Sequence, residues 1–273
     1  MIYVPFNIID LDDNGQQIVI NCHINDKPIR MVVDTGASRS VISNFFIDNL
    51  HQQQQNRHRV PEARGTGIGN NLLSSFKAII PELTFKQFNI KNFEFIIIDL
   101  EHINEVFDYL NFQRINGLLG CDILKLWKLN IDYNDKQQFE IFSPDLTGCQ
   151  LIATCMVKNN SLRFIVDTGA SRSVINLETL NTLFPHIEKE VNTSPITGID
   201  SSLPDVNEFI AQTVSFNDFI IENIPFFTMN LDNINEQYRK IKLPDIDGLL
   251  GGDILMKYSA LIDFTSNYIV FKS

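Results

Sequence analysis

The chain has 273 residues, of which 44% are hydrophobic and 20% are charged, and its formal net charge is −11. This composition provides enough apolar residues for two cores of ordinary size. The negative charge argues against a nucleic-acid partner, which would require a basic face. No apolar run approaches the roughly 18 to 20 residues of a membrane span, so no membrane partner is expected. Met1–Asp13 lack the basic start and apolar core of a signal peptide, and the expected location is cytoplasmic.

Local patterns predict β-structure in the first half of the chain. β-branched runs at Gln17–Ile24 and Ile29–Val33 flank a turn at Asn25–Pro28, and Phe93–Ile98 is a further apolar strand. A short helix is predicted over residues 122–127, with Asp122 as its N-cap.

The second half gives the same series of predictions. Strands are expected at Leu151–Val157, Leu162–Val166 and Ile224–Met229, and Asp253 is expected to cap a second short helix. Three further strands, at the start, middle and end of the chain, could pair into a sheet that joins the two halves: Ile2–Ile9, Phe139–Phe142 and Tyr268–Phe271.

An internal duplication explains this parallel. The decamer Val-Asp-Thr-Gly-Ala-Ser-Arg-Ser-Val-Ile occurs at Val33–Ile42 and again at Val166–Ile175, and Ile115–Leu124 is similar to Ile246–Leu255. Each repeat has the size of a domain, which predicts two lobes, at residues 1–143 and 144–273. A pseudo-twofold axis between the lobes would bring the two acidic loops together as a carboxylate pair.

Other chemistries have little support. The four cysteines show no C-x-x-C spacing, and free buried thiols are favoured over disulfides. The five histidines are scattered without metal-ligand spacing, and no G-x-S-x-G nucleophile elbow is present. No metal and no cofactor is therefore expected.

Three motifs recur in order in each repeat and together resemble the retropepsin-like aspartic proteases. They are Asp-Thr-Gly-Ala-Ser after an apolar strand, a glycine-containing hairpin about thirty residues on, and two apolar residues with glycine before a short helix. The resemblance implies an all-β, two-lobed acid-protease fold with pseudo-twofold symmetry, each lobe a closed β-barrel with one short helix. The chain looks like a fused version of the homodimer that retroviral members form, and a monomer is expected.

The resemblance implies that Asp34 and Asp167 form the catalytic pair. Two adjacent carboxylates cannot both ionise, so the pair would share one proton and activate a water between them. Supporting roles carry over to the rest of each loop: Thr35, Gly36, Ala37, Thr168, Gly169 and Ala170. The threonine hydroxyls would bond across to the opposite loop, and the glycines would allow close backbone approach.

Ala37 and Ala170 stand where pepsin-like enzymes have a serine or threonine. The loss of that hydroxyl removes a hydrogen bond to the ionised carboxylate, which predicts a less acidic working range than that of pepsin.

The glycine-rich segments are expected to form two mobile flaps that close over substrate. The residues are Gly65, Thr66, Gly67, Ile68 and Gly69 in the first repeat and Thr197, Gly198 and Ile199 in the second. Simple surface hairpins are the alternative, while a nucleotide-binding loop is disfavoured because no helix pattern follows.

An ion pair within each lobe is a further possibility. Arg39 could pair with Asp122, and Arg172 with Asp253; the alternative is that the aspartates only cap helices and the arginines are solvated.

The functional prediction is an aspartic endopeptidase acting on a peptide or protein substrate. A non-catalytic peptide-binding protein that keeps the fold is the main alternative. A second is an obligate homodimer in which like repeats pair between chains.

Overall fold

The computed structural model describes residues 7–11, 15–51, 60–61, 65–66, 72–73, 75–85, 88–127, 130–133, 140–142, 150–183, 185, 190–192, 196–197, 202–203, 206–264 and 268–271. The first repeat contains β1 (Asn7–Leu11), β2 (Gly15–Ile24), β3 (Lys27–Val33), β4 (Val41–Ser43), α1 (Asn44–His51), β5 (Val60–Pro61), β6 (Gly65–Thr66), β7 (Leu72–Leu73), β8 (Phe76–Phe85), β9 (Phe88–Ile98), α2 (Glu101–Tyr109), β10 (Gly117–Leu119), α3 (Cys121–Leu126), β11 (Asn130–Asp132) and β12 (Glu140–Phe142).

The second repeat contains β13 (Ile152–Val157), β14 (Asn160–Val166), β15 (Val174–Asn176), α4 (Leu177–Leu183), β16 (Glu190–Asn192), β17 (Ile196–Thr197), β18 (Ser202–Leu203), β19 (Val206–Phe216), β20 (Phe219–Met229), α5 (Asp232–Lys240), β21 (Gly248–Leu250), α6 (Gly252–Lys257), β22 (Leu261–Asp263) and β23 (Tyr268–Val270).

Each lobe is a closed six-stranded barrel, so the predicted all-β, two-lobed fold is confirmed. The first sheet runs β1-β2-β3-β10-β4-β9-β8-β5, and the pairing of β2 with β8 closes it. The second runs β13-β14-β21-β15-β20-β19-β16, and β13 pairs with β19 to close it. Buried and less buried residues alternate along strands such as β13, because successive side chains point to opposite faces.

The predicted hairpin turns have the backbone that tight two-residue turns require. Asn25 and Asp26 have φ of 47° and 64°, and Lys158 and Asn159 have φ of 46° and 67°. Positive φ at both central residues matches the right-handed twist of the flanking strands, and asparagine and aspartate tolerate it better than most residues.

The predicted joining sheet exists, but its membership was predicted only in part. Strands β11, β22, β23 and β12 form a four-stranded antiparallel sheet from both repeats, so the predictions near the middle and end of the chain are confirmed. The prediction for the chain start is wrong where the structure describes it, because β1 pairs with β2 inside the first barrel. Residues 2–6 of that predicted strand lie outside the described residues.

The number of helices differs from the prediction of one per lobe. The described part of each repeat contains three, and only α3 and α6 were predicted. Helices this short are stabilised by tertiary packing more than by propensity, which makes them hard to recognise in sequence. In α2 and α5 a buried asparagine supplies part of that packing. Asn104 bonds both backbone groups of Ile115, and Asn235 does the same with Ile246.

No helix in the described ranges has the length and apolarity to cross a membrane. Cys22, Cys121 and Cys155 are buried and form no disulfide there, as expected, whereas Cys149 lies outside those ranges. Burial raises the pKa of Cys22 to about 12, which keeps this thiol protonated and unreactive at neutral pH.

Candidate active site

The two aspartates lie at equivalent positions directly after the central strands β3 and β14. The backbone N–H of Asp34 donates to the carbonyl of Leu119 at 2.9 Å, and that of Asp167 donates to the carbonyl of Leu250 at 2.9 Å. Because β3 pairs in parallel with β10, and β14 with β21, each aspartate is held at the end of a buried strand.

The loops bring the two carboxyl groups into direct hydrogen-bond contact across the lobe interface. Oδ1 of Asp34 accepts from the N–H groups of Gly36 at 2.9 Å and Ala37 at 2.8 Å. Oδ1 of Asp167 accepts from Gly169 at 2.9 Å and Ala170 at 3.0 Å. Both residues are 6% exposed, so the pair is largely removed from water.

Burial raises the pKa of both acids. Burial raises the pKa of Asp34 well above its usual range, and the charge of Asp167 raises it further, against the opposing N–H groups of Ala37 and Gly36. Burial also raises the pKa of Asp167, but the Ala170 and Gly169 N–H groups and the hydrogen bond from Asp34 oppose that shift. The buried pair therefore retains a proton to higher pH than an isolated carboxyl group would.

Glycine is required on both sides by the close approach of the opposite aspartate. A Cβ atom built on Gly36 would lie 2.2 Å from Cγ of Asp167, and one on Gly169 would lie 2.4 Å from Cγ of Asp34. Neither glycine has a positive φ. Space, and not backbone conformation, fixes the residue type at these positions.

Thr35 and Thr168 connect the loops through four reciprocal hydrogen bonds. The Thr35 hydroxyl donates to the Val166 carbonyl at 2.6 Å and accepts the Thr168 N–H at 2.9 Å. The Thr168 hydroxyl donates to the Val33 carbonyl at 2.5 Å and accepts the Thr35 N–H at 3.0 Å. Both threonines are fully buried, so bulk solvent does not compete for these hydrogen bonds beneath the aspartates.

A buried serine at the end of each loop was not predicted. The Ser40 hydroxyl donates to Asp122 at 2.5 Å and accepts the Gly120 N–H at 2.9 Å. Ser173 makes the equivalent bonds with Asp253, at 2.6 Å, and with Gly251, at 2.9 Å. Both serines lie within the repeated decamer, where their recurrence was the available signal.

The prediction that Asp122 and Asp253 are helix N-caps is wrong, because their side chains bond the serines just described. Asp122 and Asp253 lie in the first turns of α3 and α6, whereas the N-cap positions are Gly120 and Gly251 without a side-chain cap. The aspartate side chains instead accept hydrogen bonds from the serine at the end of each Asp-Thr-Gly loop, and so tie that loop to the helix.

The predicted ion pair is present in only one lobe. Nε of Arg39 lies 3.4 Å from the carboxylate of Asp122, and Nη2 of Arg39 donates to the carboxylate of Glu94 at 2.8 Å. The hydrogen bond from Arg39 holds the pKa of Glu94 below its usual range. Arg172 has no ion pair within the described residues and lies over the Phe227 ring at 5.5 Å. In the second repeat, Pro225 occupies the position equivalent to Glu94, so Arg172 lacks the glutamate partner that Arg39 has.

Two cross-lobe glutamines were also missed. Nε2 of Gln17 donates to the carbonyl of Gly169 at 3.0 Å, and Nε2 of Gln150 donates to the carbonyl of Gly36. Each glutamine precedes its own aspartate by seventeen residues. This shared spacing in the repeats was the available signal.

A short antiparallel hairpin occurs in each repeat where a flap was predicted. Gly65 and Thr66 pair with Leu73 and Leu72, and in the second repeat β17, which contains Thr197, pairs with β18. Gly67, Ile68 and Gly69, with Gly198 and Ile199, lie outside the described residues. The flap role therefore stays a prediction.

Two closed barrels joined through paired Asp-Thr-Gly loops define a two-lobed acid-protease fold. Residues 20–126 match the family described as "gag-polyprotein putative aspartyl protease", and residues 153–254 match the family described as "Aspartyl protease". With one match in each repeat, the chain belongs to the retropepsin-like aspartyl proteases. No curated protein matches the sequence.

Proposed function

We propose that this chain is an aspartic endopeptidase whose catalytic dyad is Asp34 and Asp167. The observation that carries the proposal is the pair of buried carboxyl groups, bonded to each other and each held by two backbone N–H groups. Such a pair can hold a single proton and so present an acid and a base side by side. The aspartyl protease families that match both repeats support the same chemistry.

In the proposed reaction the pair holds one proton in the free enzyme, and the steps are written here with that proton on Asp34. Asp167 removes a proton from a water molecule as the water oxygen attacks the peptide carbonyl carbon, and Asp34 gives its proton to the carbonyl oxygen. The resulting tetrahedral intermediate breaks its C–N bond as Asp167 gives the proton taken from water to the amide nitrogen and Asp34 takes back a proton from one hydroxyl of the intermediate. The released acid and amine leave the dyad with one shared proton, as at the start.

The proposed substrate is an extended peptide bound between the lobes, with the two hairpins acting as flaps. A single chain supplies both aspartates, which supports a monomer as the active unit. The proposed chemistry requires no metal and no cofactor, because the carboxyl pair supplies both proton transfers.

Asp34→Asn and Asp167→Asn test the dyad directly. Each variant should lower kcat on a peptide library by about 10²- to 10⁴-fold or more, the usual contribution of general acid–base catalysis. Asp245→Asn is the matched control, since Asp245 forms a surface ion pair with Arg239 and should leave the rate within about twofold. Wild-type cleavage by either dyad variant would refute the proposal.

The same variants separate the alternatives. If like repeats paired between two chains, Asp34→Asn would leave an intact pair of Asp167 residues and much of the activity. A non-catalytic binding protein would retain peptide affinity in all variants while the wild type releases no product. Sedimentation at low protein concentration measures the oligomeric state and so distinguishes a monomer from an obligate homodimer.

A further inference from the structure

The two cross-lobe glutamines form a reciprocal contact that the dyad mechanism does not use. Gln17 belongs to the first lobe and donates to Gly169 beside Asp167, while Gln150 belongs to the second and donates to Gly36 beside Asp34. Each amide therefore holds the catalytic loop of the opposite lobe, two residues from the reacting carboxyl.

The two glutamines differ in the hydrogen-bond partner of the side-chain amide oxygen, Oε1. Oε1 of Gln150 accepts a hydrogen bond from the hydroxyl of Tyr238 at 2.7 Å. Oε1 of Gln17 is buried and has no hydrogen-bond partner among the described residues. A hydroxyl donor fixes which end of an amide carries the oxygen, so Tyr238 keeps the Gln150 N–H directed at Gly36.

The cause of the difference is a single substitution between the repeats. Tyr238 belongs to a buried cluster in the second lobe, and Phe107 holds the equivalent place in the matching cluster of the first lobe. The equivalence extends to the neighbours, since Ile152, Ile246 and Leu249 correspond to Val19, Ile115 and Leu118. A phenyl ring has no hydroxyl, which leaves the Gln17 amide oxygen without the donor that Gln150 has.

We propose that Gln17 and Gln150 are positioning residues for the dyad, and that Tyr238 makes Gln150 the firmer of the two. This inference rests on the proposed function and deepens it. The Gln150 contact acts on the Gly36–Ala37 segment, whose N–H groups bind Asp34. A fixed segment keeps the Asp34 carboxyl in the plane where it meets Asp167, and a loose one spends less time in the reactive geometry.

The kinetic test uses methionine, which has a similar length to glutamine but donates no hydrogen bond. Gln150→Met should lower kcat about five- to tenfold, the equivalent of one hydrogen bond, with KM within twofold. Gln17→Met should lower kcat by about twofold or less. Equal effects of the two substitutions would overturn the role assigned to Tyr238, and a wild-type kcat in Gln150→Met would overturn the proposal.

The pH profile distinguishes positioning from a purely structural role. The Gly36 and Ala37 N–H groups favour ionised Asp34, so a loosened segment raises its pKa and moves the basic limb of the rate profile to higher pH. Among the residues that the structure describes, the other titratable groups acting at the dyad are Asp167 and, through its interaction with Asp167, Tyr133; Gln150→Met changes neither. A lower melting temperature with an unchanged profile and kcat would assign Gln150 to stability alone.

Exchange of the aromatic residues completes the test, and the effect of Tyr238→Phe in the wild type can be measured whether or not Gln150→Met folds. Tyr238→Phe should lower kcat by about two- to fivefold in the wild type and have no further effect in the Gln150→Met background. Phe107→Tyr should make Gln17→Met as costly as Gln150→Met. Independent effects of Tyr238→Phe and Gln150→Met would refute the coupling. Loss of cleavage in Asp34→Asn together with wild-type behaviour in this series would refute this inference while leaving the proposed function intact.

Discussion

The reciprocal threonine bonds give a quantitative prediction for the lobe interface. Thr168→Val replaces the hydroxyl with a methyl group of similar shape, so it creates no cavity. It removes the bond to the Val33 carbonyl and the bond from the Thr35 N–H. Both groups lie in fully buried residues, so water cannot replace the lost partner without opening the interface.

The expected cost follows from the two groups left without a partner. A buried polar group deprived of its hydrogen bond costs about 1–3 kcal/mol, so the two groups affected by Thr168→Val should reduce the free energy of unfolding by about 2–6 kcal/mol. Thr35→Val breaks the mirror-related bonds and should cost a similar amount. Thr168→Ser keeps the hydroxyl and loses one methyl group, worth about 1 kcal/mol.

Urea unfolding measures these differences, with two signals to follow the lobes. Trp127 is the single tryptophan and is buried in the first lobe, so its fluorescence reports that lobe, whereas circular dichroism reports both. The midpoint should fall with the slope unchanged for a change in native-state stability. Equal stability of the valine and serine variants would show that the hydroxyl bonds contribute nothing, and the reasoning would fail.

Three further predictions concern the surroundings of the dyad. The raised pKa of Asp34 means that the folded state binds this proton more tightly than the unfolded chain, so its contribution to stability falls as pH rises from about 4 through the raised value. Asp34→Asn should therefore raise the melting temperature at pH 7 and change it little at pH 3.5; equal shifts at both would contradict this. Gly169→Ala places a Cβ atom 2.4 Å from the Asp34 carboxyl carbon, so kcat/KM should fall about 10²-fold or more, whereas a loss below threefold would show that the loops adapt. Ser173→Ala removes the hydroxyl between Asp253 and Gly251 and should cost about 2–3 kcal/mol in urea unfolding, with a cost below about 0.5 kcal/mol as the contrary result.

The features that the sequence predicted correctly depend on short-range patterns or on the repeat itself. Alternating β-branched residues and tight turns identify strands such as β2 and β13, because both signals lie within a few residues. The duplicated decamer predicts that Asp34 and Asp167 lie close together, because two equivalent loops are expected to meet at a pseudo-twofold axis.

The features that were missed depend on contacts between distant residues. The Ser40 and Asp122 side chains are 82 positions apart, and nothing local shows that the carboxylate faces a serine and does not cap its own helix. The same holds for β1, whose pairing with β2 competes with a place in the joining sheet. In each case the choice is made by packing, which a single sequence does not specify.

The differences between the repeats show where symmetry is required. The loops from Asp34 and Asp167 are identical, and each packs its glycine so closely against the aspartate of the other that no Cβ atom fits. Among the residues that pack around these loops, the two repeats differ in sequence. Gly252 replaces Cys121 because a Cβ atom at residue 252 would lie 2.3 Å from the Gln16 carbonyl oxygen.

The repeats also differ at Phe107 and Tyr238. This difference affects the surroundings of the aspartates, because Tyr238 bonds Gln150 and Gln150 bonds Gly36. A homodimer of identical subunits would have the same residue at both places, whereas a fused chain can change one and keep the other. Fusion thus permits one aspartate loop to be held more firmly than its counterpart. Gln150 donates to the loop of Asp34 and is itself held by Tyr238, so the firmer contact acts on one aspartate loop and not on the other.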